Sequence, residues 1–223
     1  MTLPNAVRPR LDDDDDDDDD DDGEENGKAK EVKVKAAGEF LAKGLFDQRI
    51  ILIAKPVDRE MAAMITGQLL VLDAKDGKAP ITVYVNSPGG DADSGFGIYD
   101  VMKFVRAPIT TVCLGLAASA AVIIFVGGRK GRRFTLPHSR FLIHQPSSFS
   151  QGPASDIEIT ANEIIKIRDT YNLVLSEETG RPDKQILKDV HRDFWLNAQE
   201  SVEYGLSSGI VRSVDELNGI AKG

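Results

Sequence analysis

Three β-prone segments alternate with helical patterns in the first half of this chain, and this alternation limits the fold more than any other feature. The segments are Arg49–Ala54, Ile81–Asn86 and Ile109–Leu114. After the first, Asp58 can cap a helix in which apolar residues recur at three- and four-residue spacing, and a second helix is expected over Gly95–Val105. Strands that alternate with helices in this way are typical of parallel βαβ units, so we expect an α/β domain.

The second half of the chain is less regular and contains one long helical pattern. Arg132–Leu136 and Arg140–His144 are expected as short strands, and an alanine-rich helix is expected to begin near Ser119. A long helix is predicted over Asp156–Glu178, with Asp156 as its cap and Gly180 as its end. Its broad apolar face, which includes Ile157, Tyr171 and Leu175, predicts either an interface or packing against its own domain.

The acidic charge of the chain is concentrated near its N-terminus. Residues 1–27 hold the eleven aspartates Asp12–Asp22, and thirteen acidic and two basic residues in all, which leaves a formal charge of +2 for residues 28–223. A run of like charges repels itself and buries no apolar surface. We therefore predict a disordered acidic tail or leader over residues 1–30 and one folded domain over residues 31–223.

Composition also limits the compartment and the class of partner. The single cysteine, Cys113, cannot form an internal disulfide, which fits a reducing compartment. The apolar run Leu114–Gly128 is shorter than the roughly 20 residues that span a bilayer, and the N-terminal residues lack the pattern of a secretory signal. The basic run Arg129–Arg133 lacks interleaved aromatics. We expect a cytoplasmic protein that binds neither membrane nor nucleic acid, and no metal site, because no cysteine–histidine cluster occurs.

Three segments each offer one member of a Ser-His-Asp triad. Ser119 lies where a strand leads into a helix, whose free N–H groups would favour the anion formed after nucleophilic attack. His144 lies at the end of a strand, just before Gln145 and Pro146. Asp193 precedes two aromatics, where an acid could orient an imidazole. Taken singly, the three residues are explained as well by helix packing, a satisfied polar side chain and a helix cap.

Neighbouring residues leave alternatives open. Gly89 and Gly90 could aim a backbone N–H at an oxyanion or could merely turn the chain. The other histidines are weaker candidates for a general base. His138 lies in a basic turn, and His191 lies only two residues from Asp193.

From about Leu45 to Val214 the chain resembles the proteolytic subunit of the ATP-dependent Clp protease family. The resemblance rests on segments that follow the family's order and spacing over most of the chain. These segments are Asn86–Gly90, Gly97–Asp100, Gly115–Ser119, Ile143–Pro146, Asp156–Ile159, Arg192–Trp195 and Glu203–Leu206.

The resemblance implies a fold and a role for each residue of the site. The implied fold is crotonase-like, built of repeated ββα units, with a strand and a long helix protruding as a handle. Ser119 would be the nucleophile, His144 the general base and Asp193 the orienting acid. The N–H groups of Gly90 and Ala120 would form the oxyanion hole.

The resemblance also implies an assembly and its partners. The protein would be a serine endopeptidase subunit of a chamber made of two stacked heptameric rings, either of one chain or mixed with a sister subunit. An AAA+ unfoldase of the Clp type would feed unfolded polypeptides into the chamber. The ATP would be used by that unfoldase, so no cofactor is expected in this subunit.

Two departures from the family pattern motivate other hypotheses. The family usually has Met-Gly after the serine, where this chain has Ala120-Ala121, and the N-terminal region does not resemble the family's axial-loop segment. A weakly active or structural subunit of a mixed Clp ring is therefore the main alternative. The other alternative is a crotonase-type acyl-CoA hydratase or isomerase, in which the three triad residues would be coincidental.

Overall fold

The fold was analysed in a computed structural model of the chain, which describes residues 38–147 and 151–221. The predicted acidic tail or leader lies outside these residues. Packing divides the chain into two units, Met1–Lys43 and Gly44–Gly223, and the second contains the sheet and the candidate site. Within the described residues, no helix is both long and apolar enough to cross a membrane.

In the first half of the chain the described elements alternate between strands and helices, as predicted. In chain order they are α1 (38–47), β1 (Ile50–Ile53), α2 (Arg59–Lys75), β2 (Ile81–Ser87), α3 (Ala92–Phe104), β3 (Ile109–Ala118), α4 (Ala120–Val126), β4 (Arg133–Thr135), β5 (Arg140–Ile143), α5 (Ala154–Thr179), α6 (Asp183–Asp189), β6 (Phe194–Asn197), α7 (Ala198–Tyr204), β7 (Gly209–Ile210) and α8 (Val214–Ala221).

Seven strands form one sheet in the order β1-β2-β3-β4-β7, with β5 paired to β3 and β6 paired to β5. Every pair is parallel except β5–β6, which is antiparallel. Strands buried on both faces read as continuous apolar runs, and β3 is buried along most of its length. The predicted parallel α/β architecture is confirmed.

Strand β3 is longer than predicted because it bends at Gly115. It pairs with β4 through Thr111–Cys113 and then with β5 through Leu116–Ala118. Between these pairings Gly115 has φ 88°, a conformation that costs glycine little. The side chain of Ser139 accepts the Gly115 N–H at 3.1 Å, so this backbone donor remains satisfied at the bend. The bend carries the strand on to Ala118, directly before Ser119.

The helical predictions hold for α2, and the start of α5 differs. Asp58 caps α2, its Oδ1 accepting the N–H of Met61 at 2.7 Å. Helix α5 ends at Gly180 (φ 76°), as expected, but its cap position is Pro153 and not the predicted Asp156. Asp156 lies in the first turn instead, where its charge still favours the helix N-terminus.

The two halves of α5 have different surroundings, and each half is compatible with a different one of the two predictions for its apolar face. In the C-terminal half Tyr171, Val174 and Leu175 are buried in the core of their own domain. In the N-terminal half Ile157 and Ile159 are 44 % and 62 % exposed. The resemblance implies a handle strand before this helix, and part of the segment before the helix, residues 148–150, lies outside the described residues.

A buried charge cluster joins the C-terminal end of α5 to α3 and β4. The carboxylate of Glu178 accepts hydrogen bonds from Arg133 and, at 2.7 Å each, from Tyr99 and Lys103. The guanidinium of Arg133, 2 % exposed, also donates to the carbonyl of Gly128 at 2.8 Å. Burial by itself raises the pKa of Glu178, but these hydrogen bonds outweigh it, so the pKa of this carboxyl lies below its ordinary value.

Candidate active site

Ser119 lies at the junction of β3 and α4 in a strained backbone conformation. Its φ and ψ are 55° and −124°, a region that residues other than glycine rarely adopt and that costs of order 1–3 kcal/mol. The strain is held by two hydrogen bonds of 2.9 Å, from the Ser119 N–H to the carbonyl of Leu142 and from the Val122 N–H to the carbonyl of Ser119. Such a sharp turn places the hydroxyl outside both elements and next to the helix N-terminus.

The Gly89–Gly90 segment packs closely against this junction. A side chain at Gly89 would collide with the carbonyl oxygen of Ala118, and its Cβ would come within 2.8 Å of the Ser119 Cβ. A Cβ at Gly90 would collide with the carbonyl oxygen of Val57, and both glycines have positive φ. Only glycine fits at these two positions without strain.

The pairing of Gly90 with Val57 fixes the direction of the Gly90 N–H. The N–H of Val57 donates to the carbonyl of Gly89 and the N–H of Asp91 donates to the carbonyl of Val57, each at 2.8 Å. In such a parallel bridge the residue between the two bonded neighbours points its own N–H away from the partner. Ala120, the first residue of α4, has an N–H with no partner inside its helix.

His144 and Asp193 are brought together by the antiparallel pair β5–β6. The register pairs Ile143 with Phe194, so the residue after the first and the residue before the second lie side by side. The Nδ1 of His144 is 3.4 Å from the Oδ1 of Asp193, and the carboxylate side chain is 66 % exposed. The alternative role of Asp193 as a cap of α7 is wrong, because Asn197 and Glu200 form the capping box of that helix.

A cleft of about 510 Å³ opens over Ser119 and His144. Its lining comes from three helices, the glycine segment and the residues at and after the end of β5: Pro88, Gly90, Asp91, Ala92, Phe96, Ser119, Ala120, Ile123, His144, Pro146, Ser147, Thr160, Glu163, Ile164, Ile167 and Tyr171. The structure thus brings four of the five predicted site residues to one cleft, and the fifth, Asp193, lies behind His144. Within the described part of the chain, no hydrogen bond joins Ser119 to His144. His138 and His191 are not among the residues of this lining.

Tyr171 belongs to the cleft but was predicted only as part of the apolar face of α5. Its ring is 6 % exposed, and its hydroxyl oxygen is 3.5 Å from the carbonyl oxygen of Ser119. Burial raises the pKa of this phenol well above its ordinary value. A helical apolar stripe contains both core and cleft residues, and only the packing of α5 against α4 distinguishes them.

Metal ligation has no comparable support, because the described residues contain no group of three or more His, Cys, Asp or Glu side chains that could hold an ion.

Comparison with known proteins agrees with the fold. The Clp protease family matches residues 35–214. An ATP-dependent Clp protease proteolytic subunit 2 from Treponema denticola is 45 % identical over 177 residues, which cover 79 % of this chain and 88 % of the relative. A solved structure of a ClpP1 mutant from Listeria monocytogenes superposes with a TM-score of 0.73 at 38 % identity, covering 79 % of this chain and 99 % of the other.

Proposed function

The chain belongs to the Clp protease family and is a serine peptidase, and we propose that Ser119, His144 and Asp193 form its catalytic triad. A hydratase or isomerase acting on acyl-CoA is therefore not its class. The observation that carries the triad is the pairing of Ile143 with Phe194, since it sets His144 beside Asp193 while the imidazole faces the cleft that also contains Ser119.

In this mechanism the three side chains act in sequence. The Oγ of Ser119 attacks the scissile carbonyl, and the Nε2 of His144 takes the hydroxyl proton as general base. Asp193 accepts the Nδ1–H of the imidazole, which selects the reactive tautomer and stabilises the imidazolium. The imidazolium then returns the proton to the leaving amine, and an ester between the substrate acyl group and Ser119 remains. Water, activated by the same imidazole, hydrolyses this acyl-enzyme.

The oxyanion of each tetrahedral intermediate would be bound by the N–H groups of Gly90 and Ala120. The close packing of Gly89 on Ser119, and the direction imposed on Gly90 by Val57, support this role. Donors that are fixed before reaction stabilise developing charge without reorganising, which makes this contribution large. The replacement of Met-Gly by Ala120-Ala121 leaves the backbone N–H of residue 120 in place.

Catalysis in this geometry requires one movement. The Ser119 hydroxyl and the His144 imidazole line the same cleft without a hydrogen bond, and the His144–Asp193 distance of 3.4 Å is long for one. Catalytic hydrogen bonds commonly shorten only when substrate binds. A rotation of the His144 and Asp193 side chains on substrate binding would complete the relay, because the paired strands β5 and β6 already fix the backbone beside both residues.

The proposal extends to the assembly. The subunit would cleave unfolded polypeptides inside a cytoplasmic chamber of two stacked heptameric rings, fed by an AAA+ unfoldase of the Clp type that uses the ATP. The exposed apolar residues Ile157 and Ile159 on the N-terminal half of α5 support a role of this helix in contacts between subunits. No cofactor or metal would be needed in the subunit itself.

The test is hydrolysis of a permanently unfolded polypeptide by the purified protein, measured alone and with a Clp-type unfoldase and ATP. The wild-type protein should release short peptides, and Ser119→Ala should release none while keeping the native mass of the assembly. A Ser119→Ala protein that retains wild-type hydrolysis would refute the assignment.

A second candidate, a weakly active subunit of a mixed ring, is favoured by the exposure of Asp193 and by the Ala120-Ala121 departure. An exposed carboxylate orients its imidazole less firmly than a buried one. Two results together would make the chain a structural subunit. Hydrolysis would occur only after co-assembly with a sister subunit, and Ser119→Ala in this chain would leave the hydrolysis by the mixed ring unchanged.

A further inference from the structure

The cleft beside Ser119 has polar side chains on part of its lining and apolar side chains on the rest. Phe96, Ile123 and Ile167 line it from three different helices, α3, α4 and α5. Among these apolar side chains lies the phenol of Tyr171, which α5 contributes from its buried C-terminal half. A substrate side chain that enters the cleft among these apolar side chains would therefore meet hydrocarbon and the hydroxyl of Tyr171.

The hydroxyl of Tyr171 has hydrogen-bonding capacity to spare. Its contact with the carbonyl oxygen of Ser119 is 3.5 Å, against about 2.7–2.8 Å for an ordinary O–H···O hydrogen bond. That carbonyl is already satisfied by the N–H of Val122 at 2.9 Å. A phenol can donate once and also accept, so the Tyr171 hydroxyl can turn to a group in the cleft without leaving the Ser119 carbonyl unpaired.

The spare hydrogen-bonding capacity of the Tyr171 hydroxyl matters because the residue is buried. Tyr171 is only 6 % exposed and lines the cleft, so water in the cleft can solvate its hydroxyl. A substrate that fills the cleft with hydrocarbon would displace that water and leave the hydroxyl without a good partner, which is costly in an apolar setting. A substrate with a polar group at the right depth would replace the water.

We propose that Tyr171 is a specificity-determining residue, which selects substrates whose P1 side chain is long and ends in a hydrogen-bonding group, such as tyrosine or glutamine. The inference rests on the proposed function, because it takes Ser119 as the nucleophile and this cleft as the pocket for the P1 side chain. Ala120, which lines the cleft, leaves room for such side chains because it does not extend beyond its Cβ.

The test uses fluorogenic peptides that differ only at P1, in the pairs tyrosine against phenylalanine and glutamine against methionine. In each pair the members have similar size and differ in the terminal polar group. For the wild-type protein kcat/KM should favour the polar member of at least one pair by about 10-fold, the effect of one hydrogen bond in a buried site. Tyr171→Phe should reduce that preference to about twofold or less, mainly by slowing the polar peptide.

A matched control separates specificity from packing. Tyr204→Phe removes a hydroxyl of another buried tyrosine, which donates to Asp189 at 2.8 Å and does not line the cleft. This variant should keep the wild-type preference. Equal loss of preference in Tyr204→Phe would overturn the assignment to Tyr171.

Two further outcomes, both measured on the wild-type protein, would overturn the inference. A wild-type protein that hydrolyses all four peptides with kcat/KM ratios near one overturns the inference and leaves the proposed function intact. A wild-type protein that hydrolyses none of them, nor the unfolded polypeptide, overturns the proposed function and the inference with it.

Discussion

The imidazole Nδ1 of His144 lies 3.4 Å from the Oδ1 of Asp193 because the two residues flank a paired position of two antiparallel strands. The two residues are 49 positions apart in the chain, yet the backbone register alone makes them neighbours. As members of the proposed triad they need only side-chain rotation to become active. The proposed nucleophile, Ser119, is held by different means, through a strained turn between β3 and α4.

Asp193→Asn should lower kcat by about 10²- to 10⁴-fold with little change in KM. The amide keeps the shape of the carboxylate but does not hold the Nδ1–H tautomer or stabilise the imidazolium. Steady-state kinetics with one fluorogenic peptide measure the effect. Asp183→Asn, in the first turn of α6 and exposed, is the control and should retain wild-type kcat. Equal activity in the two variants would exclude Asp193 from the triad.

Gly90→Ala should abolish hydrolysis and destabilise the protein. The new Cβ collides with the carbonyl oxygen of Val57 at a φ of 151°, so the segment must shift and its N–H must leave the oxyanion position. We expect a loss of free energy of unfolding of about 1–3 kcal/mol and a fall in kcat of at least about 10²-fold.

Gly97→Ala is the control for the same substitution in an unconstrained place. Gly97 lies in α3 with no atom within 4 Å of an added Cβ, so its replacement should stabilise the helix by about 0.5–1 kcal/mol and leave kcat unchanged. Thermal unfolding and peptide hydrolysis, measured on both variants, separate the two effects. If Gly90→Ala were as active as Gly97→Ala, Gly90 would not be an oxyanion donor.

Glu178→Gln should destabilise the protein by about 3 kcal/mol at neutral pH, because Arg133 would remain buried without its carboxylate partner. The pKa of Glu178 is lowered in the folded protein, so its contribution is fully present above the ordinary glutamate value of 4.5. The contribution disappears as the pH falls from there through the lower folded-state pKa. Unfolding free energies measured from pH 7 to pH 3 should therefore show the difference between wild type and variant shrinking below about pH 4.5.

Its neighbour Glu177 provides the control. Glu177 is exposed, and Glu177→Gln should change the free energy of unfolding by less than about 0.5 kcal/mol at any of these pH values. A Glu178→Gln difference that stayed constant down to pH 3 would mean that the carboxylate charge does not hold the cluster together.

The fold could be predicted from sequence where local patterns determine it. Periodicity located β1, β2 and α2, and the cap at Asp58 was predicted from residue type and position. The end of β3 was missed because Gly115 reads as a strand terminus, whereas here it bends the strand toward a second neighbour. The cap of α5 was missed for a similar reason, since proline at the cap position gives no side-chain bond by which to recognise it.

The candidate site was less accessible to local reasoning. Ser119, His144 and Asp193 are ordinary residues in their local sequence, and their grouping was predicted from resemblance to a family. Their proximity depends on sheet register, which single-sequence patterns do not fix across so many residues. Tyr171 was missed because cleft residues and core residues follow the same helical spacing.

The proposed function depends most on Ser119 as the nucleophile, and mass spectrometry after treatment with a fluorophosphonate tests this role directly. The assembled protein should gain one adduct per subunit, and fragmentation should place it on Ser119, with labelling lost in His144→Ala and unchanged in His138→Ala. Labelling at another serine, or labelling of Ser119 that persists at the wild-type rate in His144→Ala, would contradict the triad.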